Sequence, residues 1–347
     1  MAQIEVTIRL LTLGQLLLLA LICLRAWNRG LITRLAFLLS LGVGSYLILS
    51  SPDIPVGPDT LVFPVILFFA DVAPYLIWAF ALALFQDRQT IPLLFAAIFL
   101  GAGAIDWSIT MFIGPQSAQP FHVVHRIVAL VAIGHAVYVA LKGLKDDLSE
   151  QRRRFRSIFT VLIAFQTTAV LTTELIFGFE GVARLLTLIN VTAIFALTTG
   201  FNLSMLSLRD ELFPEALSPK PQTDKLPPQD RHLQKQLDVF MSDGGYRRTG
   251  LTISALSEAL DVPEHRLRKL INRHLGYRNF SSFLNKFRIE EAQQLLKDEA
   301  QAHIPILTIA MDLGYASIGP FNRAFKDLTG QTPSEFRQNG EASILEK

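Results

Sequence analysis

Seven runs of nearly unbroken Leu, Ile, Val, Ala and Phe occupy residues 7–24, 31–49, 61–85, 91–113, 121–141, 157–177 and 183–206. At about 1.5 Å of helix rise per residue, runs near 20 residues cover the roughly 30 Å of a bilayer's hydrocarbon core. Both faces of each run are apolar. Lipid tolerates backbone only as helices or closed barrels, and the alternating pattern of barrel strands is absent, so the runs read as seven membrane helices. The mean hydropathy of +0.37, with only 18% charged residues, fits that reading. The charges concentrate after Ser207, so the two parts of the 347-residue chain are expected to live in different solvents.

The run up to Leu24 has the length of a secretory leader. No small-residue cleavage pattern follows it, and Arg25, Trp27 and Arg29 resemble an interfacial anchor, so it reads as a retained first span. The single cysteine, Cys23, excludes an intrachain disulfide and a multi-cysteine metal site, and reads as a small core hydrophobe.

Orientation follows from the short loops. Arg25, Arg29 and Arg34 border the first, Arg88 marks the third, and Lys142, Lys145, Arg152, Arg153, Arg154 and Arg156 crowd the fifth. The second and fourth loops contain no Lys or Arg, and the sixth has only Arg184. By the positive-inside rule the N-terminus faces out, and an odd number of spans delivers the residues after Leu206 to the cytoplasm. The arginines after the fifth span also suit anionic lipid head groups.

Ionisable groups at membrane depth cost several kcal/mol unless paired or hydrated. Asp106, His122, His125, Arg126, Glu174 and Asn190 are all predicted in the outer half of the spans, with Asp71 near the middle. His122, His125 and Arg126 share one helix face through their i, i+3, i+4 spacing. The functional reading is an outward-opening pocket in which Arg126 meets a carboxylate, supplied by a ligand or by a neighbour. The structural alternative is internal pairing of Arg126 with Asp106 or Glu174. The i, i+3 spacing of His122 and His125 without a nearby third ligand is common by chance and only a weak zinc signal, so no metal and no cofactor is expected. Gly42, Gly44, Gly101 and Gly103 would allow close helix approach.

From residue 207 to 229 the chain carries Pro214, Pro219, Pro221, Pro227 and Pro228 among polar residues, the composition of an extended linker. Domains are therefore expected at 1–206, 207–229 and 230–347. Formal net charge is only +2, so nucleic-acid binding would have to come from local clustering in the last of these.

That last region supplies it. In "LTISALSEALDVPEHRLRKLINRHLG", Ile253, Leu256, Ala259 and Leu260 form one apolar stripe, and Leu267, Leu270, Ile271 and Leu275 a second, separated by a turn at Asp261 and Val262. Two short helices about a tight turn make a helix-turn-helix. The pattern recurs in "IPILTIAMDLGYASIGPFNRAFKDLTG": Ile306, Ile309 and Leu313 replace the first stripe, and Phe321, Phe325 and Leu328 continue the core. A helix between the copies, near residues 281–298, is about 25 Å long and could set two recognition helices one DNA turn apart, roughly 34 Å.

These residues carry a resemblance. The region from about Asp230 to Arg337 is similar to the DNA-binding domain of AraC/XylS transcriptional regulators. The likeness lies in Gly314-Tyr315, in Phe321, Phe325 and Lys326, and in the Gly-x-Thr-Pro of Gly330 to Pro333. It covers the last third of the chain, and the membrane part departs from the sugar-binding barrel of the best-known members. The resemblance implies an all-α fold in which the second helix of each motif enters a major groove. The implied solvent-facing readers are His265, Arg268, Lys269, Asn272 and Arg273 in the first motif and Ile318, Gly319, Asn322, Arg323 and Lys326 in the second. Arg and Asn suit guanine and adenine edges, whereas Lys326 and Arg273 suit phosphates. It also implies a bacterial inner membrane, a homodimer, and a double-stranded promoter as partner.

The expected protein is thus a membrane-anchored, sequence-specific DNA-binding regulator. Its seven-helix part would sense a small ligand or a membrane partner protein at or outside the bilayer. The alternative is a transporter or enzyme with a self-regulating helix-turn-helix tail. Against it, the spans show no inverted repeat, no paired acid and base, no His-Glu-x-x-His and no serine elbow, so no catalytic residue is expected.

Overall fold

The computed structural model describes residues 2–51, 53–54, 56–85, 93–114, 119–143, 146–148, 150–177, 184–207, 228–277 and 279–338. The chain separates into two compact units, one of residues 1–145 with 151–217, the other of residues 146–150 with 218–347. Both are helical, and the described residues contain no strand, only an isolated bridge between Asp147 and Asn279. The linker predicted at 207–229 lies almost wholly outside the described residues, as do Arg88 and Lys145.

The first unit consists of α1 (Ala2–Arg25), α2 (Leu31–Leu49), α3 (Phe63–Phe85), α4 (Leu93–Ile113), α5 (Gln119–Lys142), α6 (Glu150–Phe177) and α7 (Arg184–Ser207). Each covers one predicted span. Among the described residues six, all but α6, are long and apolar enough to cross a membrane. α6 is 28 residues long, but most of its amino-terminal side chains fall outside the described residues. Leu10, Leu11, Leu17, Leu18, Leu21 and Ile22 all project outward from α1. A continuous apolar surface of that kind is consistent with a membrane protein.

α3 is the central helix and packs against α2, α4 and α5. From Val72 to Phe85 it is buried almost continuously, with Tyr75 and Trp78 at 1% exposure, and Cys23 joins the same core. Two of the four singled-out glycines explain close approaches. A Cβ on Gly42 would lie 3.1 Å from the Ala73 Cβ, and one on Gly103 would lie 3.0 Å from Val72 Cγ1. Gly101 faces open space, and Gly44 makes only ordinary contact.

The second unit begins with α8 (Pro228–Ser242). The first motif follows as α9 (Ile253–Ala259) and α10 (Glu264–Lys269), the latter continued by a π-helical turn at Leu270–His274. α11 (Phe280–Lys297) connects to the second motif, α12 (Ile306–Asp312) and α13 (Ile318–Thr329). Thr252 caps α9 by accepting from the Ala255 amide at 3.1 Å, and Asn279 caps α11 by accepting from Ser282 at 2.7 Å.

Each motif has its own core, and α11 feeds both. Phe280, Phe283 and Leu284 join Leu256, Leu267 and Ile271, whereas Ile289, Ala292 and Leu296 join Ile309, Phe321 and Phe325. Leu148, from the segment between α5 and α6, is also part of the first core.

Candidate nucleic-acid interface and the polar cluster of the helix bundle

The two motifs turn by different means. In the first, Asp261 takes φ 51°, a left-handed conformation that Asp tolerates better than most residues. In the second, Gly314 takes φ 85°, and a Cβ there would lie 2.3 Å from the Arg247 carbonyl oxygen. That turn therefore requires glycine for conformation and for space.

Beyond those turns, α10 and α13 present the basic residues. His265, Lys269 and Arg273 are exposed in the first motif, and Asn322, Arg323 and Lys326 in the second. Ile318 and Gly319 are half-buried in the first turn of α13. In the first motif, Arg268 and Asn272 likewise depart from the predicted solvent-facing set. Arg268 is buried: its guanidinium holds Glu264 Oε1 (Nε at 2.7 Å) and donates to the Asp147 carbonyl. Asn272 is half-buried and donates from Nδ2 to the Tyr277 carbonyl at 2.9 Å.

The covering segment explains Arg268. Asp147 bridges to Asn279, the Phe280 amide donates to the Asp146 carbonyl at 3.0 Å, and the Ser281 amide donates to Asp146 Oδ1 at 3.0 Å. A partner more than a hundred positions away leaves no local sequence signal.

Arg288 on α11 was also missed. It is 7% exposed, donates to the Tyr246 and Arg248 carbonyls at 2.8 and 3.1 Å, and stands over the Tyr315 ring. Burial lowers its pKa, and burial raises the Tyr315 phenol to about 12 despite the nearby guanidinium. The Tyr315 hydroxyl donates to Asn285 Oδ1 at 2.9 Å. The Thr-Pro pair has a local role: Thr332 and Glu335 exchange hydrogen bonds as a capping box, with Pro333 in the first helical turn.

In the first unit the predicted polar set divides. His122 Nδ1 lies 2.9 Å from Asp106 Oδ2, and Arg126 Nε lies 3.7 Å from Glu174 Oε2. Asp71, Asp106 and His125 each offer a ligand atom, and these lie within 4.8 Å of one another. Asn190 stands apart, accepting from Gln166 and donating to the Tyr46 hydroxyl at 2.8 Å. A further buried pair went unpredicted. Arg9, fully buried in α1, binds Glu5 (Nε to Oε1 2.8 Å), the Leu47 carbonyl and Ser50 Oγ. Its only sequence signal is an acid and a base four positions apart.

With this geometry in view, the sequence profile of a helix-turn-helix domain family matches residues 256–339. Among curated proteins, uncharacterized HTH-type transcriptional regulators of Staphylococcus aureus strains MSSA476 and N315 are 38% identical over 87 residues, which is 25% of this chain and 11% of theirs. The similarity thus spans about a tenth of those relatives. No solved structure matches the chain. The carboxy-terminal part of the protein is a helix-turn-helix domain.

Proposed function

We propose that this protein is a membrane-anchored transcription regulator whose bundle receives a signal at or outside the bilayer and whose helix-turn-helix unit binds promoter DNA as a homodimer. One juxtaposition carries the reading: two helix-turn-helix motifs with exposed Arg, Lys and Asn on α10 and α13 follow six apolar spanning-length helices in one chain.

The readers in this proposal are His265, Lys269, Arg273, Asn322, Arg323 and Lys326, with Ile318 and Gly319 at the groove-entering end of α13. Arg268 and Asn272 act by holding the first motif in shape. Asp71, Asp106, His122, His125, Arg126 and Glu174 form the signal pocket, and Asn190 braces α7 against α6 and α2. The tail is cytoplasmic, in keeping with the basic odd-numbered loops. The clustering of Asp146–Glu150 with the second unit supports placing the fifth loop in that same compartment.

The test is full-length protein in nanodiscs, presented with a random duplex library and then with the selected site. Arg323→Ala should relax base preference at one position, about 1 to 3 kcal/mol, and Lys326→Ala should weaken all duplexes alike and lower the salt slope by about one. Arg268→Ala should weaken binding without changing base preference. Absence of any selected sequence would reject the reading.

A further inference from the structure

We infer that Asp71, Asp106 and His125 form a binding site for a divalent transition-metal ion of the zinc class, which gives the proposed signal pocket its ligand. The inference rests on the reading of that pocket as a sensor, but the site is argued from its own geometry.

Three elements bring it together. Gly103 lets α4 close on α3 with no Cβ between them, and Asp106 lies one helical turn further along α4, on the same face. His125 comes from α5, and its ring is fixed by Tyr75: the Tyr75 hydroxyl lies 3.2 Å from His125 Nδ1, and the two rings meet edge to face at 5.5 Å. Asp71, Asp106 and His125 each offer one ligand atom, and these atoms lie within 4.8 Å of one another. Ligand atoms around a tetrahedral zinc ion, with bonds near 2.0 to 2.2 Å, stand about 3.4 Å apart. Closing the set from 4.8 Å to that spacing would shorten the separations by up to about 1.4 Å.

Two further observations point to a cation. Asp71 Oδ2 is shielded from solvent and has no hydrogen-bond partner among the described residues, an arrangement that is costly for a carboxylate unless a proton or a cation completes it. Asp106, itself 4% exposed, has both carboxylate oxygens against His122 Nδ1, at 3.0 Å (Oδ1) and 2.9 Å (Oδ2). A ligating carboxylate held by an outer hydrogen-bond partner is the usual construction of a metal centre. Arg126, adjacent in sequence to His125, pairs with Glu174 on α6 at 3.7 Å and lies within electrostatic reach of Asp71 as well. The donor set of two carboxylates and one imidazole suits zinc and its neighbours better than calcium, which takes oxygen ligands alone.

The experiment uses the full chain in detergent, titrated with ZnCl2 against a chelator of known affinity and, separately, with CoCl2 while visible absorption is recorded. One zinc per chain is expected, with cobalt giving the intense d–d bands of a low-symmetry four-coordinate site. Asp71→Asn and His125→Gln should each weaken zinc binding at least tenfold, and His122→Gln by about 10- to 100-fold as an outer partner. Gel filtration reports whether each variant folds. Because the cobalt spectrum is read on the unaltered protein, misfolded variants do not decide the outcome. No zinc at stoichiometry, only an octahedral cobalt spectrum, or unchanged affinity in monodisperse Asp71→Asn would each overturn the site. DNA selection is measured in parallel: its loss with zinc binding intact counts against the regulator reading alone, and the reverse counts against the metal site alone.

Discussion

Arg288 sets its guanidinium 5.1 Å from the centroid of the Tyr315 ring, joining the long connecting helix to the turn of the second motif. The same side chain donates to the carbonyls of Tyr246 and Arg248, which precede the first motif, so one buried cation ties the two halves of the DNA-binding unit together.

Replacing Arg288 with Met keeps the aliphatic stem and orphans both carbonyls, at a cost of about 2 to 3 kcal/mol. The motifs should lose their fixed spacing. Affinity for a full operator should fall more than tenfold while affinity for a half-site changes little, measured by fluorescence anisotropy on the two duplexes. Equal losses on both would separate Arg288 from the coupling.

Two glycines with nearly the same φ should respond differently. Gly330, at φ 77°, has open space where a Cβ would go, so Gly330→Ala carries only left-handed strain, about 1 to 2 kcal/mol. Gly314→Ala meets the Arg247 carbonyl as well, so the backbone must move and the cost should be clearly larger. Hydrogen exchange over α12 and α13 in the full chain distinguishes them; matching protection would contradict the steric account.

Much of this was legible in the chain itself. Apolar runs of bilayer length located seven helices, with α1 and α6 starting five and seven residues earlier than predicted, and the recurring stripes of Ile253, Leu256 and Leu260 and of Ile306, Ile309 and Leu313 marked both motifs, because burial periodicity is local. What local pattern cannot carry is the far partner. Arg268 looked like a reader because its neighbours are basic, yet Glu264 and Asp147 enclose it. The same limit hid Arg288. His122 and His125 have no third ligand nearby in the sequence; the fold places Asp106 beside His122, and both Asp71 and Asp106, from two other helices, beside His125.

The Glu5–Arg9 pair should show the asymmetry of buried charges. Glu5→Gln leaves a fully buried guanidinium without its carboxylate, which costs about 3 to 5 kcal/mol, whereas replacing both residues with Leu is far milder. Thermal unfolding in detergent should rank wild type and the double variant close together and the single variant well below. A single variant as stable as the double would contradict the pairing.

The capping box predicts an acid response near the carboxy terminus. Hydrogen bonds from the Thr332 backbone and hydroxyl hold the Glu335 carboxyl below its ordinary 4.5. A depressed folded value means that its stabilising contribution is complete above 4.5 and is lost as pH falls through the lowered value. Exchange protection of residues 333–338 should therefore decline in that acid window in wild type and be insensitive to it in Glu335→Gln. Identical pH profiles would exclude the carboxylate as the cause.

The central claim is that one polypeptide holds a bilayer and selects a DNA sequence at the same time. Sealed native membranes carrying the full chain, opened to expose the inner face and mixed with sheared chromosomal DNA, should retain a small set of promoter fragments, and with Arg323→Ala should tolerate more bases at one position of the selected site. Recovery of the protein in the soluble fraction, or equal retention of every fragment by the opened membranes, would contradict it.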